Sequence, residues 1–227
     1  MIELILVCML TELPNLESFP GVESAKVVVK CDDPRLTIVH IRDWHFIEFA
    51  EFQADVQDEI AEDQIQNQYL IFAHEVQEIQ DQQEMFLNAM ARAGHREVWL
   101  EGLIPEFERA FIHICHAAAR NGLYESPNPI SVGAAARLFV KRQIRVHALD
   151  TDKGLRLTQP LDATGKLRAV SEADIEQREN LMMQQLRSHQ GIAIVVLGGA
   201  HDLSNNIPPE TKLVVVTVKG YREASGE

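Results

Sequence analysis

Apolar positions along this 227-residue chain fall into two kinds of run: short unbroken ones, and longer ones with a helical period. The short runs are Ala25–Lys30, Leu36–Ile41, Glu97–Leu100, Ile144–Leu149, Gly191–Gly198 and Thr211–Val218. Their length and their content of Val and Ile predict strands. In Gly191–Gly198 every position from Ile192 to Leu197 is apolar, as in a strand covered on both faces. The periodic runs predict helices. Phe46, Phe49, Phe52, Val56 and Ile60 form one stripe. Tyr69, Phe72, Ala73, Val76, Ile79, Gln83, Phe86, Leu87 and Met90 form a longer one, with Gly94 as its stop. The opposite face, with Glu75, Glu78, Asp81 and Glu84, reads as solvated. Pro105, with Glu106 and Glu108, opens a helix that Gly122 closes, and another runs from about Ser131 to Lys141. Ser171-Glu172-Ala173-Asp174 has the form of a capping box, opening a helix that runs to His189.

Strands that alternate with helices predict an α/β fold. The expectation is one domain over residues 1–227, with its core at about 25–218 and a mainly parallel sheet sandwiched by helices. Lys153–Val170 has no clear period and reads as a lid loop. Met1–Leu10 is apolar but lacks a basic flank and is too short to span a bilayer, so it reads as a first strand or a docked segment.

Four of the predicted strands end in reactive side chains. Leu36–Ile41 delivers Arg42, Asp43, Trp44 and His45; Glu97–Leu100 delivers Glu101; Ile144–Leu149 delivers Asp150 and Asp152; Gly191–Leu197 delivers Gly198, Gly199 and His201. Ligands of open α/β sheets bind outside the carboxyl ends of the strands, so these residues are expected to converge in one crevice. The Gly198-Gly199 pair would allow a sharp turn and a close approach to the backbone. Arg178 falls on the stripe of its helix that should face the sheet, where it must snorkel out or meet an anion.

Charge narrows the partners. The formal net charge of −13 argues against a nucleic-acid binder and against an anionic membrane surface. Cys8, Cys31 and Cys115 lie far apart and read as free thiols of a reducing compartment. No long apolar run suggests a membrane span, and a cytoplasmic location is expected. The partner expected is a small-molecule or peptide substrate; the oligomeric state stays open, a homo-oligomer included. The candidate chemistry is that of His and carboxylates. A His oriented by a carboxylate is a general base near neutral pH. His45, Glu101 and His201 could alternatively hold a divalent metal with positions left for water. There is no GxSxG elbow, no Walker loop and no GxGxxG. Hydrolysis would therefore use an activated water.

Taken together these residues resemble the superfamily of erythromycin esterases, ChaN-like haem-binding lipoproteins and TraB/Tiki proteins. The resemblance covers most of the chain from Thr37 to Pro208. It rests on Gly198-Gly199-Ala200-His201, on Glu101 in Trp-Leu-Glu-Gly, on Arg178 in Gln-Arg-Glu-Asn, and on His74 with Gln77 at the head of the long helix. Arg42-Asp43-Trp44-His45 stands where the family has a Gly-led His motif, and Arg42 could narrow or fill the site. The resemblance implies a parallel α/β core, and either of two functions. One is a hydrolase of an ester, lactone or amide, with His45 as general base oriented by Asp43, Glu101 and His201 positioning water or a metal, and Arg178 stabilising developing negative charge. The other is a haem- or ligand-binding module without turnover; apart from both stands a scaffold with a degenerate, non-catalytic site, which Arg42 makes credible. Arg42, His74, Asp150, Asp152, Gly198 and Gly199 would line the ligand.

Overall fold

The structure is a computed structural model and describes residues 13–56, 59–122, 133–159 and 168–222. Met1–Leu10, Cys8, the predicted start of a helix at Ser131 and residues 160–167 of the expected lid lie outside these.

The sheet has six strands: β1 (Val22–Val29), β2 (Leu36–Asp43), β3 (Glu97–Leu100), β4 (Arg145–Ala148), β5 (Gly191–Gly198) and β6 (Thr211–Val218). Their spatial order is β1-β6-β2-β5-β3-β4. Only β1 runs antiparallel, on β6; the other pairings are parallel. The α-helices of the described residues are α1 (Phe49–Val56), α2 (Glu62–Arg92), α3 (Glu108–Arg120), α4 (Gly133–Val140), α5 (Asp152–Leu157) and α6 (Glu172–Leu186).

Two apolar clusters lie on the two sides of the sheet, because side chains alternate along each strand. Val39, Ile41, Ile194 and Val196 pack with Ile79, Phe86 and Met90 of α2 and with Leu138 of α4. Ile38, Ala193, Val195 and Leu197 pack with Met182, Met183 and Leu186 of α6. The unbroken apolar run of β5 therefore feeds both layers, as its sequence predicts.

The helix α2 is the long element that frames the crevice. Its 31 residues span about 46 Å at 1.5 Å per residue, far more than an eight-residue strand covers. It follows β2 and so runs back along the sheet from the carboxyl edge. Its buried positions are dense from Val76 onward, whereas before Val76 only Ile65 is buried. The first turns thus overhang the strand ends, and Phe49 and Phe52 of α1 pack there on Tyr69 and Phe72.

Three local readings change. Asp81 and Glu84 are not simply solvated: Arg137 of α4, itself buried, pairs with both, and Lys141 pairs with Glu84. A polar stripe on α2 becomes the seam to α4 because only tertiary packing brings a buried arginine to it. Residues Lys153–Leu157, expected in an irregular loop, belong to α5, which Thr151 caps by accepting the Gly154 N–H at 3.0 Å. Pro105 opens a short 3-10 turn through Phe107 before α3 begins at Glu108. The capping box at α6 is present in both directions: Asp174 N–H donates to Ser171 Oγ and Ser171 N–H to Asp174 Oδ2.

Candidate functional site

Strand register builds the site. In the β2–β5 pairing Asp43 stands opposite Gly198, and in the β3–β5 pairing Leu100 stands opposite Val196. The residue after β3, Glu101, donates its N–H to Val196 O at 3.2 Å and so follows β5 toward its end. Four stretches far apart in sequence thereby deliver His45, Glu101, Asp150 and His201 to one edge.

Glu101 is the hub. Its Oε1 accepts from Arg178 Nη2 at 3.0 Å and from His201 Nε2 at 3.3 Å. Its Oε2 accepts from Gly198 N–H at 2.8 Å and lies 3.0 Å from His45 Nε2. Four donors match the four lone-pair sites of a carboxylate. Burial opposes its charge, but the bonds to His201 and His45 outweigh that and hold its pKa far below the ordinary carboxylate range.

Behind Glu101 lies a buried ion cluster. Asp150 is fully buried. It accepts a bidentate pair from Arg178, Nε to Oδ1 at 2.9 Å and Nη2 to Oδ2 at 2.7 Å, and a third bond from Gly102 N–H at 2.8 Å. Arg178 Nη1 donates to Thr158 Oγ1 at 3.2 Å. Burial works against the arginine's charge, yet the bonds to Asp150 and the field of Glu101 push its pKa up. Of the two fates open to Arg178 in the sequence, it meets anions. It does not line the cavity, because its guanidinium is committed to these partners.

His201 is held at both nitrogens, Nδ1 against Glu179 Oε1 at 2.8 Å and Nε2 against Glu101 Oε1. A ring that bonds two carboxylates must donate two N–H groups. Burial lowers its pKa, but the two bonds prevail and raise it to about 9. At neutral pH His201 is an imidazolium. His45 is different: its side chain is 57% exposed, and only Nε2 is bonded. The Glu101 bond raises its pKa against the opposing effect of burial. Its Nδ1 lies 4.0 Å from Asp43 Oδ2, beyond a hydrogen bond. The partner that orients His45 is therefore Glu101, not the Asp43 expected from their closeness in sequence. Asp43 is held instead by Gln83 of α2, whose Nε2 donates to Oδ1 at 2.7 Å; burial raises the Asp43 pKa and the Gln83 bond lowers it in part.

These groups border a cavity of about 620 Å³, within the range of small-molecule sites. His45, Glu101 and His201 form one side, and Arg42, Trp44, Phe72 and Tyr221 another. A smaller cavity of about 140 Å³ lies on the far side of Asp43, His45 and Glu101, toward α2 and α4. The two glycines act through space, not through special dihedrals, since neither has a positive φ. A Cβ on Gly198 would stand 2.9 Å from His45 Nε2, and one on Gly199 would overlap the Tyr221 hydroxyl.

Two sequence candidates lie elsewhere. Asp152 pairs with Arg156 in the first turn of α5, and His74 is exposed and pairs with Glu78 one turn on. Two residues of the cluster were passed over: Glu179 and Tyr221. Glu179 had a legible signal. It shares the sheet-facing stripe with Ile175, Arg178, Met182 and Met183, where a carboxylate needs a partner. Tyr221 had none, because only the end of β6 brings it to the cavity.

The residues do not fit a metal centre. The Nε2 atoms of His45 and His201 both point at oxygens of Glu101, and a protonated His201 offers no lone pair. Among the described residues no three His, Cys, Asp or Glu side chains converge to hold an ion. Comparison with protein-family models, with curated proteins and with solved structures finds no significant match to this chain.

Proposed function

We propose that the protein is a hydrolase that uses His45 to activate water against an ester, lactone or amide. The observation that carries this reading is the His45–Glu101 dyad: an exposed imidazole at a cavity wall, bonded at 3.0 Å to a carboxylate that four donors immobilise. Glu101 takes the Nε2–H and so sets the tautomer, leaving the Nδ1 lone pair free to accept a proton. A water bound at Nδ1 gives one proton to His45, and its oxygen attacks the carbonyl carbon. His45 then returns the proton to the leaving oxygen or nitrogen as the tetrahedral intermediate collapses. The imidazolium of His201, fixed in the cavity wall, favours the oxyanion electrostatically. Arg178 and Asp150 act one step further back: they hold Glu101 ionised and in place. The order of strand-end motifs in the sequence, which resembles that of the erythromycin-esterase and ChaN-like superfamily, supports the same reading.

The test is a screen of the purified full chain against activated esters, lactones and peptide amides, followed by His45→Gln on any substrate turned over. A loss of about 100-fold or more in kcat with an intact fold is the expected result. Turnover unchanged in His45→Gln would overturn the assignment.

A further inference from the structure

Gln83 is a polar residue on the apolar stripe of α2, and it is buried. Its Nε2 donates to Asp43 Oδ1 at 2.7 Å and to the Arg42 carbonyl at 3.2 Å. A buried amide needs partners, and both of these lie in the short stretch that carries His45. Gln83 also borders the smaller cavity, together with Asp43, His45 and Glu101.

The two histidines of the site show what this amide prevents. His201 has a carboxylate on each nitrogen, Glu179 at 2.8 Å from Nδ1 and Glu101 at 3.3 Å from Nε2, and stays an imidazolium up to about pH 9. His45 has the same Glu101 at 3.0 Å from Nε2, and a second carboxylate, Asp43, at 4.0 Å from Nδ1. A shift of about 1 Å would bring Asp43 into hydrogen-bond range and give His45 the double hold that His201 has. His45 also meets the field of His201, and Arg42 lines the same cavity. From α2 and α4 the facing groups are uncharged: Gln80, Gln83 and Ala134–Ala136. Asp43 faces His45, Glu101, the Gln83 amide and the Trp44 N–H.

We propose that Gln83 is a positioning residue for the dyad: by holding Asp43 from α2 it keeps this carboxylate off His45 Nδ1, so that His45 serves as a base. This inference deepens the hydrolase reading and rests on it only for the statement that Nδ1 takes a proton from water. A buried carboxylate that loses a donor turns to another within reach, and the His45 Nδ1–H of the protonated ring is 4.0 Å away. The new bond would favour the imidazolium and take His45 out of use as a base.

Titration of the His45 ring by NMR, in the full chain and in Gln83→Met, tests the inference without any substrate. Gln83→Met keeps the length of the side chain and removes its donors. The His45 pKa should rise by about one unit. On any substrate turned over, the ascending limb of kcat/KM against pH should move alkaline by the same amount, with turnover about tenfold slower below that pKa. Asp43→Asn in the Gln83→Met background should return the His45 pKa to its wild-type value or below, which a merely loosened fold would not do. If Gln83→Met fails to fold, Gln83→Asn, whose amide is one methylene short of Asp43, carries the test with a rise of about half a unit. A His45 pKa that stays or falls, or a rise that Asp43→Asn leaves in place, would overturn the inference. A rise that Asp43→Asn reverses, in a chain that turns over no ester, lactone or amide, would instead sink the hydrolase reading and leave this one standing.

Discussion

At the scale of single residues, the site depends on what sits closest to Glu101. Gly198 gives its N–H to the carboxylate and has no room for a side chain toward His45. Gly198→Ala should push His45 off Nε2 contact. The expected outcome is a fall of about 10- to 100-fold in kcat/KM on the best substrate with little change in thermal midpoint, measured side by side. Asp150 makes the opposite case. It is fully buried, and Arg178 donates to both of its oxygens. Arg178→Ala would strand that carboxylate and should cost about 3–5 kcal/mol in urea unfolding. Arg178→Met combined with Asp150→Leu should recover most of this, because removing both charges ends the desolvation penalty. Part of this was visible in the sequence: Arg178 on an apolar stripe had either to snorkel out or to meet an anion. Its partners were not visible, since nothing near Arg178 in the chain names Asp150 or Glu101.

At the scale of elements, the strand ends and the helix stripes were legible because both follow from a local period. The capping box of α6 is an example, and Ser171→Ala should cost about 1 kcal/mol by removing the acceptor for Asp174 N–H, read from chemical denaturation. Its effect on catalysis should be small unless α6 frays as far as Arg178, two turns along. The α5 helix was not legible. Its six residues are too few to show a period, and its stability comes from docking on α6 and from the Thr151 cap. The α2–α4 seam was hidden for a related reason. Asp81 and Glu84 look like any exposed carboxylates until Arg137 arrives from α4.

At the scale of the whole molecule, the buried charges set how stability responds to pH. The His201 pKa is raised from 6.5 to about 9 in the fold, so the native state binds the extra proton more tightly than the unfolded chain. Its contribution is complete below about pH 6.5 and is lost as pH rises through about 9. His40 runs the other way. Burial lowers its pKa from 6.5 to about 4, against the bond to the Leu197 carbonyl, which works to raise it, so the unfolded chain binds its proton first and stability falls as pH drops across that window. Glu101, whose pKa is depressed in the fold, adds a further loss below the ordinary carboxylate range. Unfolding free energy should therefore peak near neutral to slightly acidic pH. His201→Gln should flatten the alkaline limb and leave the acid limb in place; an unchanged alkaline limb would show that His201 is not held as an imidazolium. No helix of the described residues is long and apolar enough to cross a membrane.

The amino-acid order alone determined the six strands of the sheet, the longer helices and which side chains stand at the strand ends, because hydrophobic period and capping act over a few residues; the short α5 was not among them. The tertiary structure decided who meets whom. Placing β5 between β2 and β3 sets Glu101 under His45 and His201 at once, and drops Asp43, the neighbour of His45 in sequence, out of hydrogen-bonding range. That choice depends on sheet order and register, which are settled by packing of the α2 and α6 faces over the whole sheet and carry no signature in any local stretch of chain.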